Sequence, residues 1–272
     1  MIAVEIRKLL RRPRTWVTVF LLCLLPTVVA IFLAVTRIGP RAGQGPTFLS
    51  AVLTDGQLYP AAALGIVLPV FLPVAVSVVA GEAIAGEATT GTLRYLLVRP
   101  VGRTRLLVAK LIGVITFTLL AVVAVAVTGY VVGVTVLGTG QLAAAATTTV
   151  SGTPLTAGAL VLRTVLMIGY IGLSMLGVAA IVLFLSTLTD SPLAAALGGL
   201  AALVTSTVLV SIDAASSVRD WLPTRYWLAW VDLFRDPILW RDVERGVLEQ
   251  GIYVVVLLGM AWANFATRDV TS

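Results

Sequence analysis

The sequence predicts an all-α polytopic membrane protein with six transmembrane helices, and two observations carry that prediction. The apolar types AVILMFWYC make up 59% of the 272 residues, charged residues make up 12%, and the mean hydropathy is +1.04. A soluble domain carries about 25% charged residues and cannot bury so much apolar surface, so lipid is the expected solvent. Six segments are also continuously apolar over about the 20 residues that a spanning helix needs, whereas barrel strands alternate with period two.

The whole chain, residues 1–272, is predicted to form one transmembrane permease-like domain. An amphipathic segment at 1–14 comes first and carries five basic residues. The predicted spans cover residues 15–35, 58–80, 111–137, 164–185, 193–212 and 251–266. The first apolar run exceeds the stretch of about 7–15 residues found in a cleaved signal peptide, which favours a retained helix.

Residue types that are scarce exclude several kinds of chemistry. The chain has no histidine and one cysteine, Cys23, which argues against Ser-His-Asp catalysis, a cysteine metal cluster and an intrachain disulfide. Its two lysines, Lys8 and Lys110, do not follow glycine, so a phosphate-binding loop is absent. No Asp or Glu falls within the six predicted spans, and Glu249 is placed before the sixth. We therefore expect neither an enzyme nor an ion-coupled carrier, but a membrane component that another protein drives.

The basic residues indicate how the chain lies in the membrane. The net charge is +6 with a pI near 10.0, and the basic residues cluster between apolar runs, which favours a membrane surface over nucleic acid. Segments 1–14 and 81–110 hold five basic residues each, whereas 138–158 holds none. This bias predicts a multi-pass protein of the plasma membrane with both termini in the cytoplasm.

The loop between the fifth and sixth spans, residues 213–250, is rich in aromatic residues. Trp227, Trp230 and Phe234 fall at i, i+3 and i+7, which predicts one or two amphipathic helices at the outer surface. The stripe either anchors the fold at the headgroups or forms part of an outer gate. The acidic residues of this loop, such as Asp232 and Asp236, lie among arginines and are expected to form salt bridges.

The stretch from 81 to 110 predicts a short amphipathic helix between the second and third spans. Gly91 ends the preceding helix, Thr90 or Thr92 caps a new one, and Pro100 ends the segment. Leu93, Leu96 and Leu97 share one face, which fits a groove in a partner protein. That face equally fits a lipid surface, and Glu82 and Glu87 equally fit helix-end carboxylates paired with Arg103 or Arg105.

The order Glu-x4-Glu, Gly-Thr-Leu, Leu-Leu, Pro, Arg, Lys strongly resembles the cytoplasmic signature of ABC-2 type transporter permeases. Its spacing is most similar to the subgroup that includes the nitrous-oxide-reductase maturation permease. The resemblance implies the fold of type V exporters, in which two permease subunits each dock a separate ATP-binding subunit. It also implies a coupling helix over 91–99 that includes Arg94 and Arg99, and a second cytoplasmic contact at Thr189, Asp190, Ser191 and Pro192. Ser191 or Asp190 is expected to cap the following helix, with Pro192 at its first position.

Several residues within the spans are candidates for the translocation path or a dimer interface. Pro26, Pro69 and Pro73 interrupt helices, which lines a transport path in some proteins and is satisfied by packing in others. Ala194 and Gly198, like the pairs Ala195/Gly199 and Gly129/Gly133, allow close approach of helices. Small residues are common in spans, so a specific dimer role is one alternative.

The expected function is the permease subunit of an ATP-driven exporter for a hydrophobic or amphipathic substrate. The chain is expected to bind no metal or cofactor itself, with ATP and magnesium on two copies of a partner subunit. The other expected partners are the bilayer and a second permease subunit, identical or different. The alternatives are a membrane scaffold that moves no solute and a carrier that works without ATP.

Overall fold

The computed structural model describes residues 2–36, 56–89, 103–138, 151, 153, 155–212 and 217–267. Across these residues the chain is helical and contains no strand, as predicted. The helices are α1 Ile2–Arg11, α2 Pro13–Thr36, α3 Tyr59–Val67, α4 Phe71–Thr89, α5 Arg103–Val132, α6 Ala157–Leu188, α7 Pro192–Val210 and α8 Trp240–Thr267. A π-helical turn, Gly133–Leu137, extends α5.

Five described helices are long and apolar enough to cross a membrane: α2, α5 with its π-helical turn, α6, α7 and α8. Helices α3 and α4 pass the same test together but are bent by 59°, and counting them as one broken span gives six. Pro69 lies at the bend, where a missing backbone N–H interrupts the helix ladder. Pro73 lies in the first turn of α4, where the N–H has no partner in any helix.

Three helices, α5, α6 and α8, begin seven or more residues earlier in the chain than the predicted spans. Helix α5 begins at Arg103 and α8 at Trp240, so charged residues expected in loops are helical. Lys110 and Glu249 consequently lie inside helices, and both are buried. Glu249, which was expected before the sixth span, therefore lies within the last helix that is apolar enough to cross a membrane. Hydropathy placed these boundaries at the nearest charge, whereas Lys110 and Glu249 are buried against other parts of the fold and the charged residues 105, 241, 242, 244 and 245 are exposed.

Helix α6 forms the centre of the bundle, since 61% of its apolar window is buried against 22–44% in the other single spans. The chain runs back and forth between two ends of this bundle. We call the end that carries α1 the basic end, and the opposite end the distal end. One pair of close-packed glycines joins segments of this chain to each other. A Cβ on Gly133 would overlap the carbonyl oxygen of Gly56. The Gly129/Gly133 pair therefore seats the start of the second span against α5.

The described part of the long loop, residues 217–239, covers the distal end of the bundle, and we call it the distal segment. It forms two short 3-10 helices, Arg219–Trp221 and Ala229–Phe234, in place of the amphipathic surface helices expected. Trp227, Trp230 and Phe234 belong to the hydrophobic core and are at most 6% exposed. The stripe faces inward because three large rings lose more water-exposed surface against the bundle than at the headgroups. Arg235 pairs with Asp232 at 2.7 Å, as expected for this loop.

Candidate functional site

The two glutamates singled out in the sequence lie on the last two turns of α4, at the basic end. Glu87 is the centre of a partly buried ion cluster. Its Oε1 accepts hydrogen bonds from Nζ of Lys110 and Nζ of Lys8, each at 2.7 Å. Lys110 also donates to Oε1 of Glu5 at 3.1 Å. Two carboxylates thus neutralise a lysine whose side chain is only 7% exposed.

Glu82 makes a second, more exposed set of contacts one turn earlier on α4. It accepts a hydrogen bond from Nη1 of Arg14, and Nη1 of Arg12 lies 3.9 Å from its Oε2. The glutamates are therefore paired, as one alternative held. However, the partners are not Arg103 or Arg105, as that alternative held. The described partners are Lys8 of α1, Arg12 and Arg14 at the junction of α1 and α2, and Lys110 of α5.

The role of the N-terminal helix was missed by the sequence reasoning. Glu5 and Lys8 lie one helical turn apart on α1, so one face of this helix presents both to the ends of α4 and α5. A usable signal was present: an acidic residue stands among five basic ones in a segment that is otherwise amphipathic. The ion cluster therefore ties three segments of the chain together at the basic end.

The predicted second contact, Thr189–Pro192, joins α6 to α7 beside the end of α4. Ser191 caps α7, since its hydroxyl accepts a hydrogen bond from the N–H of Ala194 at 3.2 Å, and Pro192 occupies the first turn. Thr89 donates its hydroxyl to the carbonyl of Asp190 at 2.6 Å. Thr189 accepts a hydrogen bond from the backbone N–H of Ser191 at 3.1 Å. The described end of the first predicted contact region, at the end of α4, is therefore a neighbour of the second in space.

Close backbone packing holds these regions together. A Cβ on Gly81 would lie 2.8 Å from the carbonyl oxygen of Pro192, so only glycine permits this approach of α4 and α7. Ser186 of α6 bridges the same place: it donates to the carbonyl of Gly81 at 2.9 Å and accepts from the N–H of Ala85 at 3.0 Å. Asn264 of α8 donates to Thr187 at 2.9 Å. The basic end is thus a rigid junction of four helices.

A hollow of about 650 Å³ opens at this junction. Its walls come from α1, the last turns of α4 and the start of α7, and include Glu82, Glu87 and Pro192. Charged side chains of both signs line it. Such a hollow suits a polar or mixed-charge element of another protein better than an apolar ligand.

The segment that follows Thr89 is the predicted coupling helix. Its residues Gly91, Thr92, Leu93, Arg94, Leu96, Leu97, Arg99 and Pro100 lie outside the residues that the structure describes. The described ends of α4 and α5 bound this segment on both sides, and the ion cluster joins those two ends through Glu87 and Lys110.

The candidate path residues occupy different environments. Pro26 does not interrupt its helix as predicted, because α2 runs continuously through it. It is buried, and its carbonyl accepts a hydrogen bond from the hydroxyl of Tyr59, so it packs against α3 inside the chain. Pro69 is exposed at the bend, whereas Pro73 is buried. Ala194 and Gly198 lie on the exposed face of α7, while Gly199 approaches Val182 of α6.

A groove of about 520 Å³ runs between α2 and α4. Its lining is apolar except for Thr18 and includes Leu21, Leu25, Phe71 and Val78. It lies on the side of the bundle where α2 and α4 expose many large apolar side chains. The groove is suited in size and polarity to an apolar chain or ring system.

Comparison with known families extends over most of the chain. The family model described as an ABC-2 family transporter protein matches residues 1–202. The match includes the ion cluster, both predicted contact regions and the apolar groove. No curated protein matches the chain.

Proposed function

The chain belongs to the ABC-2 transporter family, and from that premise we propose that it is the transmembrane permease subunit of an ATP-driven exporter. Membership makes it an integral membrane component that associates with an ABC ATP-binding subunit, and not itself a nucleotide-binding enzyme. The finer proposal is that two copies of that subunit, carrying ATP and magnesium, drive a pair of permeases. We also propose, from the spacing of the signature that begins with Glu82 and Glu87, a relationship to the subgroup that includes the nitrous-oxide-reductase maturation permease.

The observation that carries this proposal is the hollow at the basic end. Two regions that lie about 100 residues apart in sequence, 82–89 and 189–192, meet there. Thr89 donates its hydroxyl to the carbonyl of Asp190, and Pro192 lines the hollow together with the two glutamates. In the proposed arrangement the basic end faces the cytoplasm of a plasma membrane. The ATP-binding subunit sits against residues 91–99 and the loop 189–192, and Glu82 and Glu87 position the coupling helix.

Force transfer through this junction follows from its stiffness. The ion cluster joins α1, α4 and α5, and Ser186 and Gly81 join α4 to α6 and α7. A displacement of the 91–99 segment therefore moves the ends of several spans together. Packed interfaces of this kind pass between discrete arrangements and do not deform continuously.

The test of the coupling helix is co-purification of the partner. The chain is affinity-purified from its native membrane in mild detergent, and an ATP-binding subunit is expected in about equal amount. Replacing Leu93, Leu96 and Leu97 by serine should remove that subunit. A matched triple at the distal end, Val218→Ser, Leu228→Ser and Leu239→Ser, changes three exposed apolar residues and should keep it. Retention by the first triple would refute the coupling helix.

The substrate we propose is hydrophobic or amphipathic, because the groove between α2 and α4 is apolar. Filling it with Val78→Trp should lower substrate-dependent ATP hydrolysis of the reconstituted complex. Val165→Trp, at an exposed position of α6, is the control and should leave hydrolysis unchanged. Equal activity in both variants would favour the scaffold alternative, and uptake without ATP would establish a carrier.

A further inference from the structure

Helix α8 carries a carboxyl group into the bundle at a place where no described residue pairs with it. Glu249 is 4% exposed. Neither of its oxygens has a hydrogen-bond partner among the residues that the structure describes, and the same holds for Oε1 of the adjacent Gln250. An ionised carboxylate in this place loses its hydration and gains no donors, whereas the neutral acid avoids that cost.

The charged and titratable groups around Glu249 do not supply the missing donors. The distal segment contributes Arg225 and Asp220, which act on Glu249 electrostatically with opposite sign. Nε of Arg225 lies 3.7 Å from Oδ1 of Asp220, beyond hydrogen-bond distance, and has no hydrogen-bond partner among the described residues. Tyr170 of α6 and Tyr253 of α8 are also near enough to interact electrostatically with Glu249.

Both tyrosine hydroxyls are committed to the distal segment. Tyr170 donates to the carbonyl of Tyr226 at 2.7 Å, and Tyr253 to that of Trp221 at 2.8 Å. Helix α5 meets α8 at the basic end, where Trp262 donates to Thr104, far from this site. A proton bound to the carboxyl group is therefore the simplest way to avoid an unpaired negative charge at Glu249.

A metal cation suits this place less well than a proton. Among the described residues no group of three or more His, Cys, Asp or Glu side chains forms a candidate metal site. The positive charge of Arg225 also opposes a second cation nearby.

Glu249 lies where the distal segment is fastened to the bundle. Its neighbour Gln250 donates Nε2 to the carbonyl of Pro223 at 2.8 Å. Ser206 of α7 and Thr224 share a hydrogen bond at 2.7 Å. Together with the two tyrosines, these bonds hold residues 221–226 over α6, α7 and α8, and every one of them joins uncharged groups.

We propose that Glu249 is a proton-binding site whose protonation holds the distal segment closed on the bundle. The closed state contains the carboxylic acid. When the proton leaves to solvent, the negative charge is stabilised only if water reaches it, which requires the distal segment, from residue 221 through Ala229, to separate from the helices beneath. Closing takes up one proton and opening releases one, so closure weakens as the pH rises. The site rests on α8 and the distal segment alone and does not depend on the proposed ATP-binding partner.

Thiol accessibility tests this directly, because Cys23 is the one native cysteine. In a Cys23→Ser background of the full chain in lipid nanodiscs, cysteine replaces Ala229, which is 8% exposed in the distal segment. A second protein carries it at Leu228, which is 59% exposed. The rate of labelling by a charged maleimide is measured from pH 6 to 9. The ratio of the two rates largely cancels the pH dependence of thiol chemistry.

We expect the ratio to rise by about tenfold or more between pH 6 and 9, since each pH unit between the titration midpoints of the open and the closed state shifts the equilibrium by up to a factor of ten. Glu249→Gln should keep the ratio low and flat. Glu244→Gln, which alters an exposed carboxylate on the same helix, should follow the unsubstituted chain. A ratio that does not change with pH, or an equal rise in Glu249→Gln, would overturn the proposal. If Glu249→Gln does not fold, Glu249→Met supplies the uncharged side chain, and the profile of the unsubstituted chain remains decisive.

Discussion

A comparison of Lys8 with Lys110 tests whether distance or burial decides how much an ion pair stabilises this protein. Each lysine serves as the control for the other. Both ammonium groups lie 2.7 Å from the same atom, Oε1 of Glu87, but their side chains are 40% and 7% exposed. If distance decided the contribution of an ion pair, replacing either lysine by methionine would have the same effect. If burial decides it, the two replacements differ, because water screens only the exposed pair.

The expected magnitudes follow from these exposures. Removing Lys110 leaves Glu87 and Glu5 partly buried, and breaking such a pair costs about 3–5 kcal/mol. Because Lys8 remains on Glu87, we expect Lys110→Met to lower the free energy of unfolding by about 3 kcal/mol. We expect Lys8→Met to lower it by less than about 1 kcal/mol.

The assay is the apparent melting temperature in one fixed detergent, at matched heating rate. With about 2–4 °C per kcal/mol for chains of this size, the expected losses are about 6–12 °C for Lys110→Met and below about 4 °C for Lys8→Met. The pair Glu87→Met with Lys110→Met should melt above Lys110→Met alone, since it removes the uncompensated charge. Equal losses for the two lysines would refute burial as the deciding factor.

Three further predictions concern single contacts, all read from melting temperature. Gly81→Ala should cost roughly 1–3 kcal/mol, because its Cβ meets a carbonyl of α7 at 2.8 Å. Gly86→Ala adds a Cβ that would lie in ordinary van der Waals contact, 3.5 Å from the Cβ of Glu82. It should change the free energy of unfolding by less than about 1 kcal/mol in either direction. Ser191→Ala should cost about 1 kcal/mol through the lost cap of α7, and Ser191→Asp should retain the cap. Tyr170→Phe should cost about 1–2 kcal/mol because it leaves a buried carbonyl of the distal segment without its donor, while the exposed Tyr130→Phe should cost nothing measurable.

Hydropathy and the spacing of the signature residues were sufficient to predict the class of protein and part of the candidate site. Continuous apolar runs predict helices because lipid leaves backbone groups no other partner, and the described residues are helical accordingly. Pro69 predicted the break in the second span, since a proline removes a ladder hydrogen bond wherever the chain packs. Ser191 and Pro192 likewise predicted the start of α7, because capping depends on residues within one turn.

What a charged or aromatic residue faces was decided only by the tertiary structure. The local pattern placed Trp230 at the headgroups and Glu249 outside a span, and it left Glu87 with arginines from its own loop. In the fold, Trp230 is buried in the core, Glu249 is enclosed within the bundle, and Glu87 holds Lys8 and Lys110.

The physical reason is the range of the interactions. Helix formation and capping depend on residues within about one turn, so the sequence alone determined them. Burial and ion pairing depend on which distant segments pack together. Lys8 lies 79 residues from Glu87 along the chain, and no local pattern records that separation.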